Sequence, residues 1–570
     1  MKIPFVGPTY QSRSTNIACD RCINFYPEIN RKEDKEILTL FGTPGTLLFS
    51  TAIANPIRGM HTFNNLLFIV AGTSLYSING SGTISSSLGT LNTATGRVSM
   101  SDNGLASAGV GGNQLAIADG SNFYTYNVST LTFATSSQTL ASFVTYIDGY
   151  FVVNKVGTMS GFASNLYDGT TWNGLATAQI SAAPDLVQCV INIQQQLWFI
   201  KEYSTEVWYD TGVATSVGFP FTRIGGTVLD YGTSAPWTVA RGDNSLFWLA
   251  NQRIGDQGEL VGVVELSAYT PAIITPPQIL FQWQQYATTA DAFGYCYAHE
   301  GHTFYVITFP TGNATWVYDT TTQMWHERST YTSSSPSSPG RHIGNCYAFF
   351  NGKHLIGDWQ NGNIYQLSTT TYTDNGQPII STRIAPHVYD RENLENLFLH
   401  RLVVDMETGV GQAAGTPTSV TVSISIGSPA IITAANHGVA PNDIVIFNTT
   451  GALPTGLTAG VAYYVLFAGF TATTFEVSAS RGGTPVTTTG TQSGVQTVSE
   501  LTTVQNPQAS LSWSDDGGHK WSNEYLASVG RVGSYKTRLI WRRLGYSRDR
   551  VFKLVIADPV KKAIIGGYLE

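Results

Sequence analysis

The stretch from Leu66 to Gly80, LLFIVAGTSLYSING, limits what the whole chain can become. An apolar run, a Gly-Thr break and a second apolar run closed by Asn-Gly form the pattern of a β-hairpin. Comparable pairs open at Leu115, Tyr150, Leu197, Leu246, Thr303 and His354, so the unit returns every 35–57 residues. After Leu246 the partner strand, GVVELS, is delayed. One such hairpin cannot bury its own apolar faces. Stacked around an axis, several can, and a strand-turn-strand repeat of this length points to propeller blades.

Composition fits that reading. Charged residues make up only 12%, while 57 Gly, 28 Tyr and 12 Trp suit short strands joined by tight polar turns. Few stretches keep apolar residues at helical spacing for three turns. The expected fold class is therefore all-β: a β-propeller of about seven blades, with six to eight possible, a β-sandwich-like domain and a small inserted β module. A net charge of −7 argues against broad, tight binding to nucleic acid. The opening MKIPFVGPTY has no apolar core of the signal-peptide kind, and no apolar run is long enough to span a membrane. Five cysteines in a chain of 570 residues do not read as a disulfide framework.

Shifts in composition divide the chain. Residues 1–60 read as an irregular leader packing on the propeller, and residues 61–380 carry the hairpins. The segment 333–340, SSSPSSPG, reads as a flexible loop. Residues 381–412 change character, and a Thr-, Ala- and Gly-rich segment almost free of charge follows. That segment, 413–505, reads as an inserted module, with its own turns at Asn436-His437-Gly438, Pro441-Asn442-Asp443 and Arg481-Gly482-Gly483. Residues 506–570 then complete the domain begun at 381.

Two features of this last part are candidate sites. Ser514-Asp515-Asp516-Gly517-Gly518-His519-Lys520-Trp521 fits the Asp-box pattern, with Ser514, Asp516, Gly518 and Trp521 at the defining positions. Such a box folds a hairpin turn: Ser and Asp bond its backbone, Gly takes positive φ and Trp packs beneath. The second feature is a basic run in which Arg538, Arg542, Arg543, Arg548 and Arg550 form a candidate partner interface. Three readings stand beside one another: a solvated sheet face, docking onto an acidic protein, or contact with DNA phosphates.

Catalytic and metal patterns are weak. Asp boxes occur in sialidases, and a glycosidase needs two spaced carboxylates, or a Tyr–Glu pair with arginines gripping an acidic sugar, for which Arg58, Arg97, Arg223 and Arg341 are available. Nothing in the sequence joins them. Cys19-Asp20-Arg21-Cys22 has CxxC spacing without a second ligand pair. His299-Glu300-Gly301-His302 lacks the same-face spacing of a helical zinc motif, and Gly533 to Thr537 is no phosphate loop. The expectation is a protein with no catalytic residues, no metal and no cofactor.

Several short motifs, in a shared order, carry a resemblance. They include Asn24-Phe25-Tyr26-Pro27-Glu28, Thr43-Pro44-Gly45, Gly96-Arg97-Val98-Ser99-Met100 and Ser204-Thr205-Glu206-Val207-Trp208-Tyr209. Val317-Tyr318-Asp319 ahead of Met324-Trp325, Glu407-Thr408-Gly409-Val410-Gly411, Leu511 to Gly517 and Leu539 to Gly545 with Phe552-Lys553-Leu554 complete the set. In these, over roughly 1–412 and 506–570, the chain resembles the packaged-DNA stabilisation proteins of short-tailed bacteriophages, also described as tail-hub or nozzle proteins. The resemblance implies a non-catalytic virion protein of the tail, assembled in the host cytoplasm. It implies a homo-hexameric ring below a portal-adaptor assembly, which extends the channel for packaged double-stranded DNA and binds a needle, spike or fibre protein. No membrane is involved. Residues 416–505 depart from that pattern and are similar to small β modules inserted in many phage tail proteins. The alternatives are a sialidase-like glycoside hydrolase and a receptor-binding adhesin.

Overall fold

The computed structural model describes every residue except 51, 52, 54, 256, 332–339, 412–418, 436, 440, 442, 481 and 501–505. The loop read over 333–340 lies outside the described residues but for Gly340, as do Asn436, Asn442 and Arg481 of the turns read in the inserted module. Among the described residues the only α-helix is Pro277–Trp283; nearly everything else that is regular is strand. The chain divides into two units. One holds Leu47–Trp325 and Arg341–Ser368, and the other Met1–Thr46, His326–Gly340 and Thr369–Glu570.

The first unit is a seven-bladed propeller. Each blade is an antiparallel sheet whose first strand is innermost. Blades 1 to 5 open with Ile57–Phe63, Ser99–Asp102, Ala141–Ile147, Val187–Ile193 and Ala240–Gly242. Blades 6 and 7 open with Phe293–His299 and Gly344–Phe350. What read as a delayed partner in blade 5 is one long hairpin, Ser245–Ile254 against Gln257–Ser267.

Tight turns make these hairpins. In six blades the first two strands are joined by two residues that both have positive φ: Asn64-Asn65, Asp148-Gly149, Gln194-Gln195, Asp243-Asn244, Glu300-Gly301 and Asn351-Gly352. That geometry matches the right-handed twist of the strands it joins. Blade 2 uses a longer loop between Asp102 and Leu115.

Apolar cores between neighbouring blades hold the ring. Phe68 and Val70 meet Leu115 and Ile117; Ala116 and Phe123 meet Phe151 and Val153; Val152 meets Phe199. Trp198 joins Trp248 and Val264, and Phe247 stacks on Tyr305. Tyr295 lies flat on Tyr347, with centroids 5.6 Å apart. Ile57, Leu67 and Ile69 share a core with Cys346, Leu355 and Ile364, which closes the circle from blade 7 to blade 1. Phe49, upstream of blade 1, packs edge-on to Phe350 in blade 7.

The second unit contains a two-layer sandwich. One sheet runs Phe25–Ile29, Leu38–Gly42, Ala563–Leu569, Leu397–Met406, Leu539–Ser547, with Lys2–Ile3 also against Ala563–Leu569. The other includes Tyr10–Gln11, Cys19–Ile23, Ser381–Ile384, Asp549–Ile556, Gln508–Ser514 and Tyr525–Ser528. Phe25, Leu402, Trp541 and Ile564 from the first layer meet Cys22, Leu511, Phe552 and Leu554 from the second in one apolar core. The stretch read as an irregular leader thus carries five strands of this sandwich. A separate β module spans Ser419–Ile424 to Gln496–Glu500 around its own core of Val445, Phe447, Phe475 and Val498. Its first and last strands pair, Ser419 opposite Ser499. Its junctions with the sandwich, at 412–418 and 501–505, lie outside the described residues.

Candidate partner-docking face

The basic run resolves into two populations. Leu539–Ser547 pairs with Leu397–Met406, and the register slips by one residue between Leu399 and Arg401. Arg543 and Leu544 therefore both oppose His400, and Arg543 takes φ +60°, a β-bulge with the left-handed conformation that Gly usually supplies. The bulge breaks the strict alternation of a strand. Trp541 and Leu544 point into the core, while Arg542 and Arg543, adjacent in sequence, are both exposed.

These two arginines line an open groove of about 630 Å³ together with Phe398, Arg401, Tyr546 and Glu570. Phe398 and Tyr546 are 72% and 65% exposed, and their rings lie 5.9 Å apart. Two large aromatics beside two exposed guanidinium groups are the residue types enriched at interface hot spots. Arg401 is already engaged, donating from Nη2 to Glu570 Oε1 at 2.6 Å.

Arg538 and Arg548 are exposed outside this groove. Arg550 leaves the group, because its side chain is buried and its donors are used within the chain. It donates from Nε and Nη2 to the two Asp515 oxygens at 2.6 and 2.8 Å and from Nη1 to the Leu544 carbonyl. Its guanidinium also lies over Trp513, 5.2 Å from the ring centroid. The arginine read as a contact for a partner is an internal brace of the Asp-box hairpin.

The box forms as its residue types require. Ser514 Oγ donates to Asp516 Oδ1 at 2.7 Å and accepts from Gly518 N at 2.8 Å, while Lys520 N donates to Asp516 Oδ1 at 2.8 Å. These contacts hold the Asp516 carboxyl below its ordinary pKa, the Lys520 amide foremost. Gly518 takes φ +90°, and Trp521 lies beneath the Lys553 ammonium, 4.4 Å away. The site is a folded turn.

Cys19 and Cys22 face different surroundings. Cys22 Sγ donates to the Phe25 carbonyl inside the core, whereas Cys19 Sγ lies 3.8 Å from His387 Nε2. His387 donates from Nε2 to the Thr15 carbonyl at 2.8 Å and from Nδ1 to Asp549 at 2.7 Å. With both nitrogens donating, the ring is an imidazolium. Asp549 first, then Cys19 and Thr15, raise its pKa to about 10 against the opposing effect of burial. A ring held protonated cannot act as a general base for Cys19. His302 is buried against Asp319 at 2.8 Å, and Glu300-Gly301 is simply a hairpin turn. Among the described residues no group of His, Cys, Asp and Glu is placed to hold a metal ion. No described helix is long and apolar enough to cross a membrane.

Of the four arginines considered for an acidic sugar, Arg58 and Arg97 meet at a cavity on the propeller axis. Arg341 stacks on Trp359 at 3.6 Å, and Arg223 is exposed on the outer strand of blade 4. The axial cavity was not legible in sequence, because its lining is spread over the inner strands of seven blades, from Arg58 to Cys346.

Comparison with known proteins gives two family matches. Residues 1–372 match the family described as Bacteriophage P22 Gp10, beta-propeller, and residues 469–570 the family described as Bacteriophage P22 Gp10, beta-sandwich. No curated protein matches the chain. Solved structures align at low identity. The computationally designed Ika8 protein is 9% identical over 65% of this chain and 100% of its own, with a TM-score of 0.33. The Pan2 WD40 domain of Neurospora crassa is 8% identical over 60% and 98%, with a TM-score of 0.36. The N-terminal domain of Nup159 is 12% identical over 62% and 100%, with a TM-score of 0.33.

Proposed function

The chain belongs to the bacteriophage P22 Gp10 family, structural proteins of short-tailed phages that stabilise packaged DNA, and we propose that it acts as a nozzle or tail hub. In this reading six copies form a ring below the portal-adaptor assembly. The ring extends the DNA channel, retains the packaged genome and docks a needle, spike or fibre protein. It is a non-enzymatic component of the virion tail, assembled in the host cytoplasm. The match across the propeller, residues 1–372, carries the reading.

Two features of the chain support it. The bulged groove with Arg542, Arg543, Phe398 and Tyr546 suits an acidic or aromatic protein partner. A net charge of −7 suits DNA that slides past, since a surface of like charge makes few lasting phosphate contacts. A glycosidase reading gains nothing from the axial cavity, where Asp102 is the single lining carboxylate and is bound to His61 at 2.8 Å.

The test is copy number in purified particles, measured by quantitative mass spectrometry against the portal protein. About six copies per particle, retained after fibres are stripped, is the expected result. Absence from the particle, or loss together with the fibres, would overturn the reading.

A further inference from the structure

The inner strands of all seven blades surround a cavity of about 410 Å³ on the propeller axis. Its charged lining is three arginines, Arg58, Arg97 and Arg241, the Asp102 carboxylate and His61. Arg58 shows what a purely structural arginine looks like here. All five of its N–H groups are taken: Nε by the Gly96 carbonyl, Nη1 by the Gly72 and Thr93 carbonyls, and Nη2 by Thr93 Oγ1 and the Thr95 carbonyl.

The other two arginines are not closed off in this way. Arg97 reaches from blade 2 across the axis, over Phe293 of blade 6 at 3.9 Å and 5.9 Å from Trp237. It donates from Nη1 to Asn345 Oδ1 at 2.9 Å and from Nη2 to the Asn345 carbonyl. Arg241, in blade 5, donates from Nη1 to the carbonyl and Oδ1 of Asn192, both at 3.0 Å. Each guanidinium carries five donors, so three on each lack a protein acceptor among the described residues. No described carboxylate forms an ion pair with either. Arg241 is exposed and lines the cavity, Arg97 is half-buried there, and the surrounding protein lowers the pKa of both groups by burial, that of Arg97 to about 10.

Two partly desolvated cations without counter-charges are costly, and proteins normally pair such groups. We propose that the axial cavity is a binding site for a small phosphate-bearing anion, held between the guanidinium groups of Arg97 and Arg241. A phosphomonoester carries about −1.5 to −2 charges at pH 7 and three acceptor oxygens, which matches two forked donors. A single carboxylate would leave one cation unmatched. The cavity falls within the roughly 300–1,000 Å³ typical of small-ligand pockets, and Trp237, tilted by 38° against Phe143 with centroids 4.3 Å apart, offers an aromatic wall for an organic group.

The experiment is calorimetric titration of the full chain with inorganic phosphate, ribose 5-phosphate and adenosine monophosphate, at fixed ionic strength in chloride. Saturable binding is expected, weakened at least tenfold in Arg241→Gln and unchanged in Arg253→Gln, an exposed arginine on the blade 5 hairpin. Tighter binding of the esters would assign the ligand as a phosphomonoester, and equal binding would assign free phosphate; both support the site. Arg241→Gln removes only contacts to Asn192, and its thermal midpoint confirms folding, so the test does not depend on the buried Arg97. No saturable binding, or binding untouched by Arg241→Gln, would overturn the site. Tighter binding of succinate than of all three phosphates would overturn the ligand class.

Discussion

His387 binds two distant parts of the chain through one ring, holding the Thr15 carbonyl with one nitrogen and Asp549 with the other. Its pKa in the folded protein, about 10, lies above the ordinary 6.5. The stabilisation it gives is therefore complete below pH 6.5 and is lost as pH climbs through about 10. Exposure of the Asp549 side chain to water keeps the effect to about 1 kcal/mol. Urea unfolding of the native protein and of His387→Gln should show a stability difference that shrinks steadily from pH 6.5 to 10. In the propeller, Lys201 is fully buried between Asp185 at 2.8 Å and Glu206 at 3.3 Å. Lys201→Met leaves two buried carboxylates without their cation and should cost about 3–5 kcal/mol, read as a lower denaturation midpoint. The basic run shows where sequence stops being informative at this scale. Arg542 and Arg550 have the same side chain, and only the bulge at Arg543 and the position of Asp515 decide which faces water and which is buried.

At the scale of the element, the blades were legible because their central strands are apolar runs bounded by turn residues, as in Leu66–Ala71 and Leu197 to Ile200. Asp148-Gly149 announces its turn, but Gln194-Gln195 adopts the same pair of positive φ angles with residues that disfavour them. Replacing Gln194-Gln195 by Asn-Gly should stabilise the propeller by about 1 kcal/mol, seen as a higher thermal midpoint. Some sandwich strands of the first 42 residues could not be read this way. Lys2–Ile3 and Cys19–Ile23 are short, and their partners, Ala563–Leu569 and Ser381–Ile384, lie hundreds of residues away. Pairing at such separation leaves no local pattern and forms late, because closing the loop costs entropy first. The module at 419–500 presents the opposite case. Since Ser419 and Ser499 sit opposite each other on paired strands, its two ends are neighbours. Excising 419–500 and joining the flanks by a short Gly-Ser linker should leave the unfolding transitions of propeller and sandwich unchanged, as followed by calorimetry.

For the whole molecule, the groove on the sandwich is where charge should matter most to assembly. Arg542→Glu combined with Arg543→Glu removes only exposed guanidinium groups, so the protein should fold with an unchanged melting curve. Particles assembled with that variant should contain less than a tenth of the normal amount of the protein, measured by mass spectrometry; normal incorporation would show that partners dock elsewhere. The axis of the propeller has a different lesson. Arg97 reaches across it, and the space that remains is a cavity of about 410 Å³. A double helix cannot thread the axis of this propeller. In the ring proposed above, a passage for DNA would lie between copies and belong to none of them, so its wall would be a shared property. Genetically, such a ring would make assembly defects dominant: in a cell carrying both alleles, one faulty copy would spoil a ring that sound copies cannot repair.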